Sequence, residues 1–452
     1  MKVHFIAIGG SAMHNLALAL HSMGNEVTGS DDQIFEPSRT RLEVAGLLPE
    51  KMGWDPTRIN KDVDAVILGM HARPDNPELL KAQEMGMNIY SYPEYIAHVA
   101  ANKKRVVIGG SHGKTTITSM ILHVLKSVNM DCDYLVGAQL EGFDRMVKLS
   151  DAPLIVIEGD EYLSSPIDRR PKFHWYKPHI ALVSGIAWDH INVFPTFENY
   201  LDQFLQFIAL IEKDGVLIYN NEDEHLRALV DGMTNDIRLE PYGCPDHDIR
   251  DGKTFLRTLH GSVELQVFGR HNLHNINGAY HVCSELGVSD PDFFKAIATF
   301  RGAAKRLELI ASSDNATVYK DFAHAPSKLK AAVSAVGEQY PDRELVAVME
   351  LHTFSSLNKD FLKQYTGTMN PADRAFVYYN PETLAHKKLE TISPDQVKEA
   401  FGRPDLEVYT SSGDLLKTLR NISWKGKNLL LMTSGNFDGV DLNAFGKEVL
   451  AD

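Results

Sequence analysis

The chain has 452 residues, so at roughly 150 residues per domain it has room for about three domains and not for one core. Its 44% hydrophobic and 23% charged residues are ordinary globular composition, which excludes disorder or coiled coil as the main architecture. With 46 Lys and Arg against 60 Asp and Glu the net charge is −14, which repels phosphate backbones and anionic lipid and makes nucleic acid and membrane surfaces poor partners. Three cysteines, Cys132, Cys244 and Cys283, fit neither a disulfide framework nor a zinc knuckle and point to a reducing compartment. The chain opens directly on a strand-like run without a signal-peptide pattern, and no stretch approaches the roughly 18 apolar residues of a membrane helix, so a soluble cytoplasmic protein is expected.

In chain order, an apolar run over 3–8 leads to a helical pattern over about 13–23, then EVTGS, a second helical pattern over about 37–45, and AVILGM. This βαβ punctuation predicts a parallel sheet with covering helices. The first strand ends in Ile8-Gly9-Gly10-Ser11 and the second in Gly29-Ser30-Asp31, a dinucleotide-like turn with an acidic residue beyond the second strand. Ala7 and Ala12 stand where G-x-G-x-x-G would have glycine, so a nicotinamide signature is weak, and a nucleotide-sugar diphosphate at the helix N-terminus suits the turn better.

A second α/β series opens with RVVIGG at 105, continues into the helical TTITSMILHVL, and returns with PLIVIEGD, HIALVSGI and GVLIYN. Between its first strand and helix lies Gly109-Gly110-Ser111-His112-Gly113-Lys114-Thr115-Thr116. Glycine-loop N–H groups there can surround phosphates, Lys114 can reach the β/γ-phosphates and Thr115 can ligate magnesium, so a nucleoside triphosphate is implied. Ile108 replaces the first glycine of the common eight-residue spacing, leaving the loop one residue short. Glu158, ending the strand before Gly159-Asp160-Glu161, is the candidate oxygen ligand for that metal, against the alternative of a solvated loop carboxylate. His190, after Trp188-Asp189 at the end of the next strand, is a candidate second ligand, with a structural histidine the competing possibility.

Alternation over 253–268 around His260-Gly261-Ser262 predicts an antiparallel hairpin carried by the central domain. Gly269-Arg270-His271-Asn272-Leu273-His274-Asn275 opens a helix with amide and imidazole groups able to read a base, or with Asn272 as a simple cap. A third α/β series follows, with strands near TVYKDF, ELVAVME, RAFVYY, LEVYT and NLLLMTS. Asp321 and His324 sit directly after its first strand, before Pro326, where Asp321 could equally cap the coming helix. Three α/β domains are expected, each with a mainly parallel sheet covered by helices: 1–102 (Rossmann-like), 103–302 (P-loop) and 303–452 (Rossmann-like).

Taken together, GGSHGKTT, EGDE at 158–161, DH at 189–190, GRHNLHN at 269–275, GAAKRLE at 302–308 and DFAHAP at 321–326 resemble, in order and over the whole chain, the motifs of the Mur ligase family. The shortened P-loop is the family's own form. The resemblance implies ADP-forming ligation of an amino acid or peptide to UDP-N-acetylmuramate through an acyl phosphate, with ATP and Mg2+ as cofactors. By it, Gly9, Gly10, Ser11 and Asp31 hold the UDP-sugar, and Gly110, Ser111, His112, Gly113, Lys114, Thr115 and Thr116 hold the ATP phosphates. His271, Asn272 and Asn275 face adenine, Arg306 the phosphates or ribose, and Asp321 the ribose. Thr115, Glu158 and His190 hold the metal, while Lys114, His190 and His324 act at the transferred phosphate. Members with a carbamylated lysine carry it where this chain has Leu205, so no carbamate is expected.

Within the family the chain resembles the branch that attaches an intact L-Ala-γ-D-Glu-meso-diaminopimelate tripeptide in peptidoglycan recycling, through the segment 30–38, the insertion before the Asp-His strand with Arg169, Arg170 and Lys172, and Ser434-Gly435-Asn436-Phe437-Asp438-Gly439. The alternative is the branch that adds free L-alanine in de novo synthesis. His352 stands where the tripeptide branch has arginine. The partners expected are small molecules, with the protein a monomer or weak homo-oligomer. A P-loop ATPase working on a macromolecule would share Lys114 and Glu158 but has no reason for the later clusters, and a non-catalytic nucleotide scaffold has none to keep Lys114, Thr115, Glu158 and His190 together.

Overall fold

Near-continuous Val, Ile and Leu runs suit strands buried on both faces, and such strands organise the three large sheets of this chain. The structure, a computed structural model, describes residues 1–140, 142–143, 145–188, 193–233, 237–302 and 306–451. By packing they form two compact units, Met1–Gly243 with His274–Ile297, and Cys244–Leu273 with Ala298–Asp452.

The first unit holds two sheets. Strands β1 (Lys2–Ile6), β2 (Glu26–Ser30), β3 (Ala65–Leu68) and β4 (Ile89–Ser91) pair in the order β2-β1-β3-β4, all parallel. Helix Ser11–Ser22 crosses from β1 to β2 and buries Leu16, Ala17 and Leu20. Helix Tyr92–Val99 starts on a Ser91/Glu94 capping box with proline in its first turn, which fixes the chain's direction out of β4. The second sheet comprises β5 (Lys104–Gly109), β6 (Asp133–Leu135), β7 (Val147–Lys148), β8 (Leu154–Glu158), β9 (Ile180–Val183), β10 (Val216–Asn220) and β11 (Arg238–Tyr242), in the order β11-β10-β9-β5-β8-β6-β7. Only β7 runs antiparallel. Strand β5 lies between β8 and β9, so the strand order reverses around it and the carboxyl ends of all three meet where ligands bind in open α/β sheets.

In the second unit β12 (His247–Arg250), β13 (Lys253–Thr258) and β14 (Gly261–Leu265) form a small antiparallel sheet. The expected hairpin is there, with one more strand in front of it. It packs on residues of the C-terminal sheet and its helix: Thr254 donates to Gln339 at 2.8 Å, Gln339 donates to the Gly252 carbonyl at 2.7 Å, and Phe268 meets Tyr319 edge-on at 5.3 Å. The unit's main sheet is β15 (Glu308–Ser313), β16 (Ala316–Asp321), β17 (Glu344–Glu350), β18 (Arg374–Tyr378), β19 (Glu407–Tyr409) and β20 (Lys427–Met432), ordered β15-β16-β20-β17-β18-β19 with only β15 antiparallel. Helix Pro326–Gln339 packs on the face carrying Leu345, Ala347 and Met349, whereas helices Ser412–Arg420 and Leu442–Val449 pack on the face carrying Val346 and Val348. The helices following β16 and β20 therefore leave on opposite faces, opening a crevice between these neighbouring strands. A cavity of about 250 Å³ lies there, lined by Asp321, Phe322, Ser434, Gly435 and Asn436 among others. The architecture is the three-part, mainly parallel α/β arrangement read from the sequence. No described helix is long and apolar enough to cross a membrane.

Candidate active site

The glycine loop after β5 works because two of its residues have no side chain. Gly110 has φ 122° and Gly113 φ 79°, both in the left-handed region that favours glycine. A Cβ on Gly110 would lie 2.2 Å from the Ser184 hydroxyl, and one on Gly113 2.5 Å from the Asn275 side-chain oxygen. The loop is pinned from the end of β9, since Ser111 N donates to the Gly185 carbonyl at 3.0 Å and Ser184 Oγ donates to the His112 carbonyl. Gly113 then starts helix Lys114–Ser127, whose first turn has no side-chain cap, so its backbone N–H groups and dipole favour an anion.

Lys114 is 14% exposed and donates to the Gly110 carbonyl at 2.7 Å and to Glu161 Oε2 at 2.6 Å. Burial alone would lower its pKa, but Glu161 first, then Asp160 and Glu158, hold it above the ordinary lysine value. Tyr200, from helix Phe197–Ala209, donates to the other oxygen of Glu161 at 3.1 Å. Its hydroxyl is also 2.8 Å from Ser111 Oγ, which accepts from Ala187 N at 2.8 Å. The P-loop lysine is thus held by a buried carboxylate that a tyrosine steadies. Sequence reasoning singled out neither Glu161 nor Tyr200. Glu161 was visible as the second glutamate of EGDE, while Tyr200 carried no local signal.

Thr115 and Glu158, the two described candidates for the metal, are together: Thr115 Oγ1 donates to Glu158 Oε1 at 2.8 Å, and Gly137 N donates to Oε2 at 2.7 Å. Burial raises the Glu158 pKa against the pull of these bonds and of Lys114. Two residues on, Asp160 accepts from Lys172 at 2.5 Å. Burial works to raise its pKa, but Lys172 and Lys114 outweigh it and the carboxyl stays below its ordinary range. Glu158, Asp160 and Lys172 line a cavity of about 340 Å³ together with Ser11 and Asn15 of the first helix and Tyr176. His190, expected at the same edge, lies outside the described residues, as does Asp189. Thr116 is buried in the first turn of the helix.

At the N-terminal turn Gly9 N donates to Asp31 Oδ2 at 2.7 Å, bringing two of the four expected sugar-nucleotide residues into contact, while Gly10 and Ser11 begin the helix without a side-chain cap. Burial raises the Asp31 pKa, partly countered by the Gly9 bond. Ala7 has φ 68°, so it occupies the left-handed position where glycine was expected.

The expected base- and ribose-reading residues fall in two groups. Asn275, in the first unit, lies against Gly113 of the P-loop. His271, Asn272, Arg306, Asp321 and His324 belong to the second unit. Asn272 does not cap its helix, which begins at Arg270; its amide donates back to the Phe268 carbonyl at 2.9 Å. Asp321 does not cap helix Pro326–Gln339 either, whose N-cap is Ala325. Its two oxygens accept from Leu307 N at 2.7 Å and Ala323 N at 2.6 Å, and burial still raises its pKa although Arg306 pulls it down. Arg306 lies over the Phe322 ring at 5.4 Å, and His324 Nδ1 is 2.9 Å from the Phe322 carbonyl.

Comparison with known proteins agrees with this geometry. Residues 2–104 match the Mur ligase family catalytic domain, 108–283 the Mur ligase middle domain and 305–435 the Mur ligase glutamate ligase domain. A UDP-N-acetylmuramate–L-alanine ligase of Paenarthrobacter aurescens is 33% identical over 83% of this chain and 82% of its own length. The structure resembles UDP-N-acetylmuramate-alanine ligase from Thermotoga maritima (TM-score 0.69, 20% identity, 100% and 98% of the two chains). It also resembles the UDP-N-acetylmuramate:L-alanyl-γ-D-glutamyl-meso-diaminopimelate ligase of Neisseria meningitides (TM-score 0.60, 25% identity, 66% and 98%). With the Paenarthrobacter aurescens relative matched across most of both chains, and the P-loop lysine, its carboxylate partners and the domain order in place, the chain belongs to the Mur ligase family of ATP-dependent ligases.

Proposed function

We propose that this ligase couples an L-alanyl amine to the lactyl carboxylate of UDP-N-acetylmuramate. The observation that carries it is the Thr115–Glu158 pair, 2.8 Å apart at the carboxyl edge of β5 and β8, beside Lys114 and on the rim of a cavity shared with the N-terminal turn. The muramyl carboxylate attacks the γ-phosphorus of ATP, the bond to ADP breaks, and an acyl phosphate forms. The amine then attacks the acyl carbon, loses a proton and displaces phosphate. Lys114, through the one proton not given to Gly110 and Glu161, meets the charge that develops on the transferred group. Thr115 and Glu158 offer hard oxygen donors, and few protein ligands are needed where nucleotide phosphates and water complete the shell, so the pair fits Mg2+. When bound, that ion neutralises phosphate charge.

The names of the curated relatives favour free L-alanine as the acceptor. Two features favour a second reading, the intact tripeptide of recycling. One is the insertion over 162–178. The other is the Ser434–Gly439 loop, which Glu350, 3% exposed, holds by accepting from Phe437 N at 3.1 Å and from Thr433 Oγ1, and which Asn380 holds by donating to Asp438 at 2.9 Å. Both acceptors present the same amine to the same acyl phosphate, so discrimination lies in contacts to the rest of the peptide. Purified protein with ATP, UDP-N-acetylmuramate and equal concentrations of both acceptors decides it by product mass. No ADP release with either acceptor overturns the proposed function; dominance of the tripeptide product replaces the alanine reading.

A further inference from the structure

Lys172 comes from the insertion, yet it lines the cavity shared with the N-terminal turn. It begins the 3-10 turn Lys172–Trp175 between β8 and β9. That turn is fixed by Phe173, fully buried and stacked on Phe207 at 4.6 Å. Arg170, close by, is engaged elsewhere, paired to Asp168 at 3.0 Å and lying over Trp175 at 4.1 Å. Among the described residues lining the 340 Å³ cavity, Lys172 is the one Lys or Arg; it is paired to Asp160 at 2.5 Å, and Glu158 lines the same cavity. Lys114 is turned to Gly110 and Glu161.

Among the described side chains that line this cavity, the Lys172 ammonium is the one cationic partner for an anionic group entering beside two carboxylates. We infer that Lys172 receives the carboxylate to be activated and so selects a carboxylate-bearing UDP-sugar. This rests on the proposed function. The bond to Asp160 uses one of three ammonium protons and leaves two for a ligand. The carboxylate is the better match than the diphosphate, because Asp160 is two residues beyond Glu158, and Glu158 touches Thr115 in the first turn of the P-loop helix, where the reacting group has to arrive. The insertion then serves the donor sugar before it serves the acceptor.

The test uses UDP-N-acetylmuramate and UDP-N-acetylglucosamine, which differ by the lactyl ether alone, titrated by calorimetry or by competition against the full-length protein. Wild type is expected to prefer the muramate by about tenfold or more, roughly 1.4 kcal/mol. Lys172→Met should reduce that preference to less than about threefold, roughly 0.65 kcal/mol, with the KM for ATP unchanged and the variant folded by circular dichroism, and Lys172→Arg should restore most of it. Equal weakening of both sugars, or a preference untouched by Lys172→Met, overturns the inference. A wild type that binds neither sugar and releases no ADP with UDP-N-acetylmuramate instead overturns the proposed function.

Discussion

The chain contains two turns built to one plan, a parallel strand running through glycines into an uncapped helix, at Gly9–Ser11 and at Gly109–Lys114. Their surroundings differ in charge. At the first, a carboxylate, Asp31, already holds the Gly9 N–H. At the second, Lys114 stands at the helix start with Glu161 as counter-ion. The shared backbone supplies oriented N–H groups, and the side chains around it decide which anion, or which hydroxyl, is welcome.

The largest effect that tests this contrast is at the second turn. Lys114→Ala should lower ligation by at least about 10²–10³-fold, the range for losing one preorganised donor to developing charge. Because it strands buried Glu161, it should also destabilise the protein by about 3–5 kcal/mol, so Lys114→Ala with Glu161→Gln separates the two losses. Activity within about tenfold of wild type in both variants would remove Lys114 from the phosphate site. Glu158→Gln should lower Mg2+-dependent ADP release by roughly 10–100-fold while leaving UDP-sugar titrations alone, and equal loss of both would make Glu158 a folding residue.

At the first turn, Asp31→Asn should weaken UDP-sugar binding by about tenfold, as expected for a charge-assisted hydrogen bond of roughly 1.5–3 kcal/mol, with ATP affinity unaltered. A change in ATP affinity instead would erase the division between the turns. Tyr200→Phe removes one bond to Glu161 and should cost about fivefold in kcat, near 1 kcal/mol, with little change in either KM. A KM effect alone would make Tyr200 a packing residue. Ala7→Gly is the mildest: relief of a left-handed alanine, about 1–2 kcal/mol, is offset by about 0.8 kcal/mol of methyl burial and by the larger entropy of unfolded glycine. Denaturant unfolding should shift by less than about 1 kcal/mol; a loss above about 2 kcal/mol would mean the methyl, and not the backbone, determines that position.

Both turns were legible in the sequence because each is local: glycine spacing, an apolar strand before and a helical pattern after. The same is true of Glu158 and the β13–β14 hairpin. What could not be read depended on distant partners. Strand β15 is mostly exposed, so alternation does not mark it, and it exists by pairing with β16. The small sheet is tied to Gln339, more than 80 residues downstream. Lys172 belonged visibly to an insertion, but its direction into the cavity is set by Phe173 locking against Phe207. Glu161 could have been read from EGDE, whereas Tyr200 reaches it from 39 residues away.

The hydroxyls between the P-loop lysine and Ala187 have a fixed sense. An ionised Glu161 can only accept, so Tyr200 must direct its single proton to it; Ser111 must then direct its own proton to Tyr200, leaving its lone pairs for Ala187 N–H. The series is polarised in one direction, from backbone amide to carboxylate, with the positive end of each dipole pointing at the negative charge. Reversal would turn the Tyr200 proton away from Glu161, the carboxylate paired with Lys114 at 2.6 Å. Orientation at Ser111, within the glycine loop, is therefore tied to a carboxylate 50 positions away.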